Sequence, residues 1–184
     1  MRAAFVLFAL AVLTPASAQI SRGGTPHWNA IAFEAMPVLR MPTIDREALS
    51  AEDAVTDLYK EAPWRFGVEH EVSIDPATHG TWTQEGAERV WRLAVECPDA
   101  LGISFLFDAY EVPKGGRLFV WNADHTDFIG SFDHRNNKEW GSLALGQTLG
   151  DQVVIEYRER LDAPFQANLH IGQIVHSYRS IQRR

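Results

Sequence analysis

The stretch ERVWRLAVECPDALGISFLFDAYEVPKGGRLFVWN, residues 88–122, decides the fold. Three apolar runs are separated by Cys97-Pro98-Asp99 and by Pro113-Lys114-Gly115-Gly116. Trp91, Leu93 and Val95 alternate with Arg92, Ala94 and Glu96. Ile103, Phe105 and Phe107 alternate with Ser104, Leu106 and Asp108, and Phe119 and Trp121 with Leu118 and Val120. Period-two spacing of aromatic and β-branched residues, broken by Pro and Gly, predicts consecutive antiparallel strands. The polar members Arg89, Arg92, Glu96 and Asp108 are expected on a solvated or interdomain face.

Outward from this centre the pattern continues. Upstream, Trp64, Phe66 and Val68, then Val72 and Ile74, then Thr81-Trp82-Thr83, read as strands. Downstream, Phe128 to Phe132, Gln152 to Tyr157 and Asn168 to Tyr178 do the same, with a short strand within Trp140 to Gly150. Eight or nine strands so spaced imply an all-β fold: an antiparallel β-sandwich, jelly-roll-like, in one domain. The one helical candidate is short and N-terminal, within Thr43 to Lys60. Thr43 or Asp45 can cap it, Glu47 falls near the third helical position, and its charges read as a solvated face. Residues 19–42 hold Gly23, Gly24, Pro26, Pro37 and Pro42, which rule out a continuous helix and predict an extended arm. The expected divisions are therefore residues 1–18, 19–42, 43–181 and 182–184.

Residues 1–18 read as a signal peptide. Arg2 precedes the apolar run Ala3 to Leu13, and Ala16-Ser17-Ala18 forms a small-x-small site with cleavage between Ala18 and Gln19. The run is short of the roughly 20 residues a bilayer span needs. A secreted or periplasmic protein, free of the membrane once the leader is removed, is expected. The 184 residues carry 17 Lys+Arg against 24 Asp+Glu, a net charge of −7, which becomes −8 when Arg2 leaves with the leader. Such a balance argues against nucleic acid, which asks for a basic patch. Cys97 is the one cysteine, so no intrachain disulfide is possible.

The residues offer little sign of catalysis. No serine stands in G-x-S-x-G or Gly-Asp-Ser-Gly context. Asp133 and His134 are adjacent in sequence, which is not the geometry of a triad. His70-Glu71 lacks the second histidine of a zincin helix. His170 and His176, six apart, are expected on one strand face about 20 Å apart, too far to share a metal. Asp124-His125-Thr126-Asp127 lacks the ladder and terminal Glu of a calcium loop. No catalytic residue, metal or cofactor is expected. Trp64, Trp82, Trp91 and Trp121 fall in apolar phase within strands and read as core. Trp28 and Trp140 lie in irregular segments, and with the polar loop Asn136-Asn137-Lys138 they form an alternative: a carbohydrate- or surface-binding sandwich.

An ordered series of phrases is similar to a known family. AEDAVTDLYKEAPWRFGVEHEV (51–72), GTW (80–82), RVWRLAVECPDALGISFLFDAYEVPKGGRLFVWN (89–122), NNK (136–138), VVIEY (153–157) and IVHSYRSI (174–181) resemble the N-terminal prodomain of secreted bacterial lysyl-endopeptidase-type, trypsin-like serine proteases. In the family a catalytic domain follows soon after the equivalent of His176 to Arg179; here the chain stops at Arg184, so no triad residue is carried over. The resemblance implies a non-catalytic module that assists folding of a trypsin-like protease domain or holds it inactive, in cis in a longer gene product or in trans. Arg183-Arg184 is then a possible processing site.

Overall fold

A computed structural model describes residues 21–59 and 63–180. The expected leader with its Ala18–Gln19 cut, and Arg183-Arg184, lie outside the described residues. The described residues form an all-β sandwich with one α-helix, as the alternation of residues 88–122 predicts for the sheets.

The strands are β1 (Val38–Arg40), β2 (Gly67–Ile74), β3 (Thr81–Glu85), β4 (Glu88–Glu96), β5 (Gly102–Glu111), β6 (Arg117–Asn122), β7 (Phe128–Phe132), β8 (Leu143–Ala144), β9 (Thr148–Leu149), β10 (Gln152–Arg160) and β11 (Asn168–Ser177). Sheet A runs β1-β4-β10-β6-β7, with β3 also against β4; sheet B runs β2-β11-β5-β8, with β9 also against β5. All pairs are antiparallel except β1 with β4, which is parallel. The extended arm thus contributes a strand of its own, lying in line with β3 along the same edge of β4.

One side chain in two from each sheet enters the core. Trp91, Leu93 and Val95 of β4 and Val153, Ile155 and Tyr157 of β10 meet Ile103, Phe105 and Phe107 of β5 and Ile171 and Ile174 of β11. At about 25 cal/mol per Å² of apolar area, these aliphatic and aromatic side chains supply most of the driving force for folding. Trp121 is buried too, but in a second apolar layer on the far side of sheet A. There Ala94, Phe119, Trp121 and Val154 are covered by Phe33 and Met36 of the arm. Sheet A is therefore sandwiched on both faces, by sheet B and by the arm.

The helix α1 (Arg46–Tyr59) begins where its cap residue dictates: Ala48 N donates to Asp45 Oδ1 at 2.9 Å, so Asp45 caps it and Glu47 takes the second helical position. Its charges do not all face water. Asp53 is buried, accepting from Tyr178 Oη at 2.6 Å and Arg65 Nε at 2.9 Å. Two other expectations fail. Arg92 is buried under the arm instead of lying on a solvated face. Trp64 and Trp82, read as core, are exposed: Trp64 precedes β2 and lies in no strand, and Trp82 lies on β3, at the edge of sheet A beyond β4. Alternation alone reports neither the cover over Arg92 nor the edge that leaves Trp82 bare.

Candidate functional site

On the outer face of sheet B, at a place that no described residue covers, three strands bring together a serine, a histidine and an aspartate. Ser73 of β2, His170 of β11 and Asp108 of β5 lie side by side. Ser73 Oγ is 3.0 Å from His170 Nε2, and His170 Nδ1 is 2.5 Å from Asp108 Oδ1. With Nδ1–H donating to the carboxylate, Nε2 is left as the acceptor for the serine hydroxyl. This is the connectivity by which an aspartate fixes the tautomer of a general base and the base prepares a nucleophile.

The backbone builds this convergence by breaking register. Along β5 the core residues Ile103, Phe105 and Phe107 alternate, but the next core residue is Tyr110, so the phase shifts at Asp108. His170 pairs with Ala109 and Ile171 with Phe107, leaving Asp108 as the extra residue of a bulge. Along β11 the phase shifts again at Gly172, where Ile171 and Ile174 are both core residues. On the other side of β11, Ile171 pairs with Ile74 and Gln173 with Glu71, so Val72 and Ser73 together oppose Gly172. Bulges re-aim side chains, and here they collect the three groups at one point. Gly172 leaves the carboxylate its place: a Cβ there would come 2.8 Å from Asp108 Oδ2 and push that side chain aside.

The same bulge corrects the expected placement of the histidines. His170 and His176 are on opposite faces of β11, because the slip at Gly172 inverts the alternation between them. His176 points into the sandwich opposite Ile103, fully buried, and its ring lies 6.1 Å from that of His70. Neither ring nitrogen of His176 has a hydrogen-bond partner among the described residues. Burial, and then the neighbouring His70 and Arg46, hold its pKa below the usual histidine value.

A second feature lies at the edge where β11 ends. The α1 helix is inverted relative to the usual amphipathic pattern. Its inward side presents Leu49 and Asp53, while Val55, Leu58 and Tyr59, on the opposite stripe, are exposed, Leu58 at 76%. Exposed Trp64 stands on the same edge of the molecule, stacked on Phe66 with the Arg179 guanidinium 4.5 Å over its ring. Polar contacts fix the arrangement: Asp53 is shared by Tyr178, Arg65 and Arg179, and Arg179 Nη2 donates to Asp57 at 2.7 Å. Burial alone would push the Asp53 carboxyl up; the hydrogen bonds from Tyr178 and Arg65 outweigh it and hold the group below the usual carboxylate range.

The residues singled out from sequence separate. Trp28 is taken up by the fold, stacked on His125 at 5.4 Å and edge-on to Phe128. Trp140 is 70% exposed and has no ring partner among the described residues. The two do not form one platform. Cys97 is buried, and burial, followed by Asp151 and Glu96, pushes its thiol up to about 12, the opposite of an activated nucleophile. Asp133 and His134 form no relay, since the Asp133 carboxylate is held by Arg135 at 2.5 Å. Asp124 and Asp127 are spent on the turn itself, accepting from Thr126 Oγ1 and from Leu149 N. Among the described residues no group of three His, Cys, Asp or Glu side chains is placed to hold a metal, and no helix is long and apolar enough to cross a membrane. No family model matches the chain, and no solved structure matches it.

Proposed function

We propose that this chain is an exported, prodomain-like module that docks on a trypsin-like serine endopeptidase domain, in cis in a longer product or in trans, and assists its folding or holds it inactive. Its part in that pair is to bind, not to cut peptide bonds. The observation that carries this reading is the inverted helix. An isolated module gains nothing by burying Asp53 while exposing Val55, Leu58 and Tyr59; a module with a partner gains a preformed apolar anchor. The anchor is held rigid by the Asp53–Arg65–Tyr178–Arg179 cluster, so little conformational freedom is lost on docking.

The test is inhibition of, and assisted refolding of, a lysine- or arginine-specific trypsin-like protease by the purified chain. Saturable inhibition or a raised refolding yield is expected, and Leu58→Asp with Tyr59→Asp should weaken the effect at least about tenfold, since central apolar anchors carry about 2 kcal/mol each. Absence of both effects overturns the reading.

The exposure of Trp140 favours a second reading, a carbohydrate- or surface-binding sandwich. Glycan-array binding that is lost in Trp140→Ala, with the Leu58→Asp variant unaffected, selects it over the first.

A further inference from the structure

From the relay on sheet B we infer a second property, independent of the docking surface: Ser73 is an activated nucleophile that accepts acyl groups from activated esters or thioesters. Two separate observations converge on it. The hydrogen bonds run in the order a relay requires, Ser73 Oγ to His170 Nε2 at 3.0 Å and His170 Nδ1 to Asp108 Oδ1 at 2.5 Å. The backbone has also departed from regular pairing at Asp108, at Gly172 and opposite Gly172 at Ser73, which is where the three side chains meet. Regular register would separate these groups; three slips at one place assemble them.

The chemistry follows from the positions. Ser73 Oγ bonds to the acyl carbon as its proton passes to His170 Nε2. The tetrahedral centre collapses, the bond to the leaving oxygen or sulfur breaks, and His170 returns the proton to that atom, releasing an alcohol or thiol. Ser73 keeps the acyl group as an ester. A water molecule then repeats the exchange, giving its proton to His170, and a carboxylic acid leaves with the hydroxyl restored. Asp108 is a positioning residue: it touches no reacting atom and acts by holding the ring and balancing the imidazolium. The substrate class follows from the setting. The Asp108 side chain is 53% exposed, and the site lies on an open sheet face. Acyl donors with good leaving groups need less oxyanion stabilisation than amides, so esters and thioesters suit this face and peptide bonds do not.

The full chain is treated with p-nitrophenyl acetate and, separately, with a fluorophosphonate probe, and the modified residue is mapped by mass spectrometry. Ser73 should be labelled well ahead of exposed serines outside the relay, such as Ser50. Ser73→Ala should remove the label, and His170→Asn should slow it about 100-fold, the usual worth of a general base. Asp108→Asn and Gly172→Ala should each slow it about tenfold or more by loosening the ring, with partial recovery in Asp108→Glu. Circular dichroism checks that each variant is folded, and the Gly172→Ala result stands beside three surface variants in case its strand yields. Labelling of Ser73 no faster than of Ser50, or a Ser73 rate indifferent to both His170→Asn and Asp108→Asn, overturns the inference. Leu58→Asp should leave the labelling unchanged, so failure of the docking reading and failure of this one are distinguishable.

Discussion

The two outer faces of the sandwich carry similar charged groups and put them to opposite uses. On sheet A, Glu156 accepts from Arg92 Nε at 2.9 Å and from His27 N at 2.9 Å, with Arg158 Nε 3.4 Å away. Arg158 in turn donates to Thr25 O at 3.0 Å and lies over the ring of Phe119. The arm closes over these groups and they become its fastening, fully dehydrated. On sheet B, Asp108 Oδ1 and His170 Nδ1 are again at hydrogen-bond distance, 2.5 Å, but no described residue covers them, and their strands have slipped register to bring them together. The difference teaches that a buried ion pair and an exposed relay cannot be told apart by residue type or by contact distance. Cover decides: where the arm lies, charge is structural, and where it does not, charge remains available to solvent and ligand.

The sharpest way to break this comparison is to remove one carboxylate from each face. Glu156→Ala should cost about 3 kcal/mol in urea unfolding, because it leaves Arg158 buried without its carboxylate and Arg92 with Glu85 alone. Asp108→Asn should change stability by less than about 0.5 kcal/mol, as for an exposed pair. Equal costs would show that the two faces are not distinguished by cover. Of similar size is Phe33→Ala, which removes an apolar anchor of the arm over Trp121 and Phe119. A loss of about 3 kcal/mol is expected, the low end for a buried phenylalanine because Phe33 sits at the rim of its layer. If the arm is a separable cover, tryptophan fluorescence should report exposure of Trp121 before the core melts.

The regular parts of this fold were legible. Trp91-Leu93-Val95 and Val153-Ile155-Tyr157 alternate as strands facing one core must, and Asp45 is a readable helix cap. The irregular parts were not, for an identifiable reason. A bulge is a slip of one residue, and Asp108 and Gly172 look no different in sequence from residues in regular pairing. Yet those slips place His170 outside and His176 inside, and bring Ser73 to His170 across 97 positions of chain. Trp121 is buried beneath the arm, whereas Trp64, which the alternation places in a strand, lies in the segment before β2 and is exposed. The apolar residues of α1 were visible too, but that its buried side is the Asp53 side depends on Arg65 and Tyr178, which reach it from the segments just before β2 and just after β11.

A smaller effect contrasts the interior with both faces. His176 is enclosed with no hydrogen-bond partner among the described residues, and His70 beside it is also held low by burial. Both are neutral in the fold. As pH falls, the unfolded chain takes up protons first, near the ordinary histidine value of about 6.5. Stability is therefore complete above that value and declines below it until the lowered folded-state values are reached. Of the charged groups that bear on His176, Arg46 adds to the shift, whereas Asp99 and Asp151 oppose it. His176→Leu should flatten the acid slope by up to about 1.4 kcal/mol per pH unit, one proton's worth. An unchanged slope in urea midpoints between pH 7 and 5 would show that the buried ring is not the titrating group.

The smallest effect on stability belongs to the inverted helix, and its smallness is the point. Leu58→Asp alters a side chain 76% exposed, so the folded chain should lose or gain less than about 0.5 kcal/mol. If Val55, Leu58 and Tyr59 instead lay against the sandwich in solution, the same change would cost several times as much, as burying a charge does. The stability of this one variant thus separates a helix that turns its apolar stripe outward from one that hides it. An unchanged unfolding curve together with a lost protease effect would place the function on that stripe, held outward by the buried carboxylate of Asp53.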